Sequence, residues 1–259
     1  MLLEDKNAVI YGGGGKVGGA VARAFAREGA RVFLAGRTLK SLEGVADDIR
    51  SAGGVAEMEQ IDALDGRAVD EYADAVAEGA GSIDISFNLI SYEDVQGTPL
   101  AEMPLEDFER PVVTAVRTQF LTSRAAARHM VRQGSGVILT FGGAGGRDPI
   151  RDYASGGFQI YLGGFQVALG AIDVLRRQLA VELGPHGIRV VTLQSGGVPE
   201  TPREDWREAI TQSFVDTSML KQRVEKLEDV GNVAVFATSD LARTVTATSI
   251  NITCGRVAD

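Results

Sequence analysis

The chain has 259 residues, of which 44% are hydrophobic and 24% are charged, a composition typical of a folded globular protein and unlike that of a disordered one. Its net charge of -9 argues against a protein that binds the phosphate backbone of a nucleic acid. Its single cysteine and two histidines exclude a disulfide framework and a Cys/His metal site. No segment resembles a signal peptide or a membrane span. We therefore expect a cytoplasmic protein with no nucleic-acid, membrane or metal partner.

Short apolar runs alternate with segments of helical period along the chain. The predicted strands, in order, are 8–11, 31–35, 55–60, 83–89, 137–141, 189–193 and 248–253. The predicted helices are 20–27, 39–49, 67–77, 105–132 with an interruption at Pro111, 163–183 and 228–238. This alternation is typical of a parallel sheet covered by helices. We predict the α/β class, as a single doubly wound Rossmann-type domain over residues 1–259 with about seven parallel strands and helices on both faces.

One polar stretch, residues 198–226, interrupts this alternation and predicts a lid-like segment. Its isolated large apolar residues are Trp206 and Phe214. Two interpretations stay open for them, because such side chains can close over an apolar substrate or anchor the segment to the core.

A glycine-rich segment joins the first predicted strand to the first predicted helix. Gly13, Gly15 and Gly18 satisfy the pattern G-x-G-x-x-G within it. A turn at this place directs backbone N–H groups and the positive end of a helix at one point, which favours a nucleotide pyrophosphate over a merely flexible connection. The residues predicted to contact the nucleotide here are Gly12, Gly15, Lys16, Val17 and Gly18.

The end of the second predicted strand indicates the type of nucleotide. An NAD-selective site usually has a carboxylate here for the ribose 2′-hydroxyl, whereas this chain has Arg37 and no acid before Glu43. Arg37 predicts NADP(H), and Lys16 is a candidate second positive charge toward the 2′-phosphate. The alternative is that both are solvated surface charges.

Further stretches resemble the short-chain dehydrogenase/reductase family over nearly the whole chain. They are Asp62 after the third strand, the segments 82–85 and 107–110, and above all 179–190, which reads LAVELGPHGIRV. The resemblance implies a Rossmann-type fold, a nicotinamide cofactor and a homodimer or homotetramer built from the two long central helices. It adds these cofactor contacts: Asp62, Ala63, Asn88, Gly196 and Val198.

The catalytic residues implied by the resemblance do not match this sequence. Members of the family use an Asn, a Ser and a Tyr-x-x-x-Lys pair, which fall here on Ala115, Gly143, Phe165 and Leu169. No lysine occurs between residues 41 and 220, so no local shift of the alignment restores that ammonium group. The resemblance therefore implies an active centre that has been rebuilt or abandoned.

Two tyrosines are candidates for the missing proton donor. Tyr161 precedes Phe165 by four residues, so one extra helical turn would place its hydroxyl on the same face, and Tyr153 lies beside Asp152. The alternative for each is a ring that packs a loop.

Three functions follow from these residues. The first is an NADP(H)-dependent oxidoreductase acting on a small carbonyl or alcohol substrate with a non-standard proton donor. The second is a non-redox enzyme on the same scaffold, such as an isomerase, cyclase, lyase or dehydratase. The third is a non-catalytic binding protein.

Overall fold

The computed structural model describes residues 1–143, 161–201, 204–221 and 223–257. The strands are β1 Asn7–Tyr11, β2 Arg31–Gly36, β3 Val55–Gln60, β4 Ile85–Asn88, β5 Gly136–Gly143, β6 Ile188–Ser195 and β7 Thr248–Asn251. The α-helices are α1 Lys16–Arg27, α2 Leu39–Ser51, α3 Gly66–Ala80, α4 Leu105–Gln133, α5 Gly164–Leu183, α6 Glu204–Thr217 and α7 Leu227–Thr238.

The seven strands form one sheet in the order β3-β2-β1-β4-β5-β6-β7, and every neighbouring pair is parallel. The chain runs outward from β1 through β2 to β3 and then returns to place β4 on the other side of β1. This reversal is the point at which doubly wound sheets bind ligands, at the carboxyl ends of the strands. The predicted α/β fold is confirmed.

Apolar side chains on the two faces of the sheet build two cores. On β1, Ala8 and Ile10 belong to a core shared with α1, α2 and α7. Val9 and Tyr11 point to the opposite face and join a core shared with α3, α4 and α5. Successive strand residues alternate between faces, and each large buried side chain contributes roughly 1.5–3 kcal/mol, so burial on both faces fixes the strand register.

Two helix predictions were wrong in ways that affect the site. Helix α1 begins at Lys16 and not at residue 20, so its first turn lies inside the glycine-rich segment. Helix α4 continues through Pro111, which was predicted to interrupt it. Pro111 lies next to Gly164, where an added Cβ would come within 1.9 Å of the Phe108 carbonyl oxygen. The start of α5 therefore packs directly on the backbone of α4.

The segment predicted as a lid contains helix α6. Phe214 on this helix is buried, and the Arg256 guanidinium lies 3.6 Å from the centre of its ring. This packing favours the anchoring interpretation for Phe214. The side chain of Trp206 lies outside the described part of the chain.

Candidate cofactor and catalytic site

The turn after β1 has a backbone path that requires glycine. Gly12 has φ of +77°, in the left-handed region, and its N–H donates to the Ala35 carbonyl at 2.8 Å. The Gly15 N–H donates back to the Gly12 carbonyl at 3.0 Å. A Cβ on Gly18 would lie 2.2 Å from the same Gly12 oxygen. The glycine turn therefore contacts the first turn of α1 so closely that no side chain fits at Gly18.

The N-terminus of α1 fits a pyrophosphate. Its N-cap is Gly15, which has no side chain to accept a hydrogen bond, and its first turn contains no acidic residue. The first N–H groups of a helix have no intrahelical acceptor and carry the positive end of the helix dipole. Because this end lies at the point where the sheet order reverses, Gly15, Lys16, Val17 and Gly18 present it to the ligand cleft.

The residues after β2 and β3 lie at the edge of the sheet that is predicted to bind the nucleotide. Arg37 follows β2 directly, and the Gln60 side-chain amide donates to its carbonyl at 2.8 Å. After β3, Asp62 is exposed and accepts from the Leu64 N–H at 3.0 Å, whereas Ala63 is buried. The Arg37 guanidinium contacts the Glu93 carboxylate at 2.6 Å. The polar groups predicted for this side of the cleft therefore do lie at the same edge of the sheet.

The Lys16 side chain contacts the segment after β6, so its predicted role beside the 2′-phosphate stays a prediction. The Lys16 ammonium donates to the carbonyls of Glu200 and Thr201, at 2.9 Å and 3.2 Å. These carbonyls follow β6, whereas Arg37 follows β2 on the other side of β1. Lys16 therefore ties the glycine turn to the start of the segment after β6, because that segment offers two backbone acceptors within reach.

Asn88 ends β4 with a buried side chain. Its amide group donates to the hydroxyls of Thr118 and Thr122 on α4, and its carbonyl oxygen accepts from the Ile90 N–H at 3.0 Å. The side chain therefore fixes the direction in which the chain leaves β4 toward the cleft.

The segment after β6 is held in place by a buried carboxyl group and an arginine. The Gly196 N–H donates to Glu225 at 3.1 Å, and the Gly196 carbonyl accepts from Arg256 at 2.6 Å. Val198 is buried, and its carbonyl accepts from the Thr201 N–H. Burial raises the pKa of Glu225 to about 7, because the charged form loses its water.

Three of the four positions at which the resemblance places catalytic groups are apolar and packed. Ala115 on α4 and Leu169 on α5 are buried in one cluster, against which Phe165 packs. Phe165 and Leu169 are one turn apart on α5, so they share a face. Gly143 ends β5 opposite Ser195 of β6.

Tyr92 completes this apolar cluster and was missed by the sequence analysis. Its ring centre lies 6.0 Å from that of Phe165, and its hydroxyl donates to the Phe141 carbonyl at 3.3 Å. Burial raises the pKa of Tyr92 far above its ordinary value, so the phenol is neutral at physiological pH. A lone aromatic in a polar loop carries no sequence signal for such a position.

The helical placement predicted for Tyr161 was wrong. Helix α5 begins at Gly164, and its N-cap Gly163 has φ of +53°, so Tyr161 lies in the loop before the helix. The Tyr161 carbonyl accepts a hydrogen bond from the Gly97 N–H, and 39% of the surface of Tyr161 is exposed to solvent. Tyr153 lies outside the described residues.

Within residues 1–143, 161–201, 204–221 and 223–257, no three His, Cys, Asp or Glu side chains cluster as they would around a metal ion. In the same ranges, no helix combines the length and apolarity needed to cross a membrane.

Comparison with known proteins places this fold and site in a family. A family model described as enoyl-(acyl carrier protein) reductase matches residues 15–256. An uncharacterized oxidoreductase of Bacillus subtilis, YxbG, is 30% identical, with 99% of this chain and 92% of that protein covered. L-rhamnose 1-dehydrogenase (NAD(P)(+)) of Azotobacter vinelandii is 28% identical, with 98% of each chain covered.

A solved structure gives the same assignment. A short-chain type dehydrogenase/reductase from Mycobacterium marinum superimposes with a TM-score of 0.83 at 28% identity, with 99% of this chain and 97% of that chain covered. The chain therefore belongs to the short-chain dehydrogenase/reductase family of oxidoreductases, whose dehydrogenases use NAD(P)(H).

Proposed function

We propose that the protein is an NADP(H)-dependent oxidoreductase that interconverts a carbonyl and an alcohol in a small organic molecule. The observation that carries this proposal is Arg37 at the carboxyl end of β2, beside a glycine turn that leaves the first turn of α1 uncapped by any side chain. A guanidinium group matches the geometry of a phosphate and holds its charge at all relevant pH values. Arg37 would therefore bind the 2′-phosphate that distinguishes NADP(H) from NAD(H).

In this proposal, residues on two sides of the cleft hold different parts of the cofactor. The bound cofactor supplies or accepts a hydride. The first turn of α1 holds the pyrophosphate, while Asp62, Ala63 and Asn88 shape the adenosine side of the cleft. Gly196 and Val198, held by Glu225 and Arg256, flank the opposite side. The relative that is named as an L-rhamnose 1-dehydrogenase supports an alcohol or carbonyl substrate.

The proton in this reaction needs a donor other than the family's Tyr-x-x-x-Lys pair. Phe165 and Leu169 have no ionisable group, and the Tyr92 hydroxyl already donates to a backbone carbonyl inside the cluster. We assign the proton to a donor in the segment between β5 and α5, where Tyr153 and Tyr161 carry the phenol groups. The exposed side chain of Tyr161 can exchange protons with solvent.

The apolar cluster also supports a second candidate. Ala115, Phe165 and Leu169 occupy three of the four positions that the resemblance assigns to catalytic groups, and all three belong to or pack against this cluster. This favours a non-redox enzyme on the same scaffold, or a binding protein, over a conventional dehydrogenase. The two candidates differ in one property, because only the oxidoreductase consumes NADPH when a carbonyl substrate is added.

The outer faces of α4 and α5 support a homodimer or homotetramer. Val113, Val116 and Phe120 are exposed at spacings of three and four residues on α4. Val174 and Val181 are exposed two turns apart on α5. Contiguous exposed apolar stripes mark association surfaces. We expect Phe120→Asp to lower the mass measured by light scattering after size exclusion, and an unchanged assembly would place the interface elsewhere.

The proposed function is tested by a screen of carbonyl, enone and imine substrates that follows the loss of NADPH absorbance. We expect turnover with at least one substrate class, and Arg37→Ala should raise the KM for NADPH. Arg31→Ala is the matched control, because Arg31 also forms an ion pair but lies at the opposite end of β2. Binding of NADPH with no turnover in any class would favour the second candidate.

A further inference from the structure

The ion pair between Arg37 and Glu93 joins two segments on opposite sides of β1, at the edge of the sheet where the nucleotide site is proposed. Arg37 follows β2, and Glu93 lies five residues beyond the end of β4. Strand β1 lies between β2 and β4, and its carboxyl end leads into the glycine turn. A contact of 2.6 Å between these two side chains therefore passes over the end of β1.

The backbone at Glu93 is constrained by the packing of its neighbours. Its φ is +56°, in the left-handed region that a residue with a side chain adopts rarely. The preceding residue, Tyr92, is buried against Phe165 and bonded to the Phe141 carbonyl. The apolar cluster thus positions the backbone from which the Glu93 carboxylate reaches Arg37.

The Glu93 carboxylate and a 2′-phosphate compete for the same guanidinium group. Both side chains of the ion pair are about half exposed, at 59% for Arg37 and 44% for Glu93, so the pair can open when a stronger anion arrives. A phosphate carries more negative charge than a carboxylate and is repelled by one nearby. NAD(H) has a hydroxyl at this position and is not repelled in this way.

We propose that Glu93 weakens the preference for NADP(H) by opposing the 2′-phosphate at Arg37. This inference rests on the proposed function, because it concerns the preference of the same nucleotide site. The carboxylate lowers the affinity for NADP(H) while leaving that for NAD(H) largely unchanged. The wild-type protein therefore prefers NADP(H) less strongly than Arg37 alone would dictate.

The test is calorimetric titration with two fragments, 2′,5′-ADP and 5′-AMP, which differ by the 2′-phosphate. We expect Glu93→Gln to bind 2′,5′-ADP about five- to tenfold more tightly and to bind 5′-AMP within about twofold of wild type. Asp94→Asn is the matched control, because this adjacent carboxylate contacts Gln96 and not Arg37. Adding Arg37→Ala should reduce the gain from Glu93→Gln to about twofold.

Several outcomes would overturn the inference. One is an unchanged affinity of Glu93→Gln for 2′,5′-ADP, and another is an equal gain for both fragments. An equal gain in Asp94→Asn would attribute the effect to general charge and not to the ion pair. If Arg37→Ala still weakens NADPH binding in these cases, the proposed function survives without the role of Glu93. If no variant binds NADPH, NADH or either fragment, both fail together.

Discussion

The ends of β1 and β5 are two parts of the same sheet edge, and their chemistry differs. After β1, the chain has a tightly wound glycine turn and a helix N-terminus without an acidic residue, and Arg37 follows directly after the neighbouring strand β2. Beside β5, Ala115, Leu169 and Phe165 form an apolar cluster completed by Tyr92. The first region has the groups that we propose to bind an anionic nucleotide, whereas the second has no ionisable group at the positions implied by the resemblance.

This difference indicates that the residues for nucleotide binding and the residues for catalysis can change separately on one fold. The glycine turn is constrained by its own backbone, because a side chain at Gly18 would collide with Gly12. The catalytic positions lie on packed helices, where an apolar side chain can replace a polar one while the fold is kept. The predictions below test each region separately.

The largest effect on nucleotide affinity is expected where the nucleotide turn is closed by glycine. Gly18→Ala places a Cβ 2.2 Å from the Gly12 oxygen, so we expect a loss of about 1–3 kcal/mol of stability and at least about a hundredfold loss of NADPH affinity. Gly44→Ala is the control, because this helical glycine has open space around it and should gain up to about 1 kcal/mol. Equal behaviour of the two variants in thermal melts and titrations would contradict the role of the turn.

The next effect concerns the apolar cluster. Phe165→Tyr combined with Leu169→Lys restores the residue types that the resemblance implies. Because Leu169 is buried, the new ammonium should destabilise the fold by about 3–5 kcal/mol, and the double variant should gain NADPH-dependent carbonyl reduction. Phe165→Tyr alone is the control for the phenol. A folded double variant without any gain would place the substrate elsewhere.

A pH effect is expected from Glu225, which holds Gly196 at the edge of the cleft. Its pKa is raised by burial to about 7, so the folded state binds this proton more tightly than the unfolded state does. Stability should therefore fall as the pH rises from about 4.5 to about 7, by about 2–3 kcal/mol in total. Glu225→Gln should remove this dependence in urea denaturation at pH 5 and pH 8. A wild-type protein equally stable at both pH values would contradict the prediction.

The smallest effect in this series is the selectivity of Arg37. Arg37→Ala should weaken NADPH binding by about ten- to a hundredfold, the range for a hydrogen bond to a charged group, and leave NADH binding within about twofold. Titrations of both nucleotides, with Arg31→Ala as control, measure this difference. Equal losses for NADPH and NADH would exclude the phosphate role.

The elements that were predicted from the sequence are those with a strong local pattern. The strands of the sheet and the glycine turn follow from apolar runs and from spacing, and the resemblance located Asn88 and Gly196. The start of α1 was missed because glycine is a poor helix former, although tertiary packing stabilises it at Gly18. Helix α4 continues through Pro111 because the helix is long and packed against α5.

The contacts that decide the site depend on residues far apart in the chain. Arg37 and Glu93 are 56 residues apart, and Lys16 reaches carbonyls 184 and 185 residues away. Neither contact has a local sequence signature, so the contact of Lys16 with the segment after β6 was not predicted. Glu225 was missed for the same reason, since its burial depends on β6 and the C-terminal segment.

The most direct test of the account is a pair of calorimetric titrations of the wild-type protein, one with NADPH and one with NADH. The account predicts that NADPH binds with one site per chain and more tightly than NADH. Binding of neither nucleotide would contradict it, because the glycine turn and Arg37 would then have no ligand.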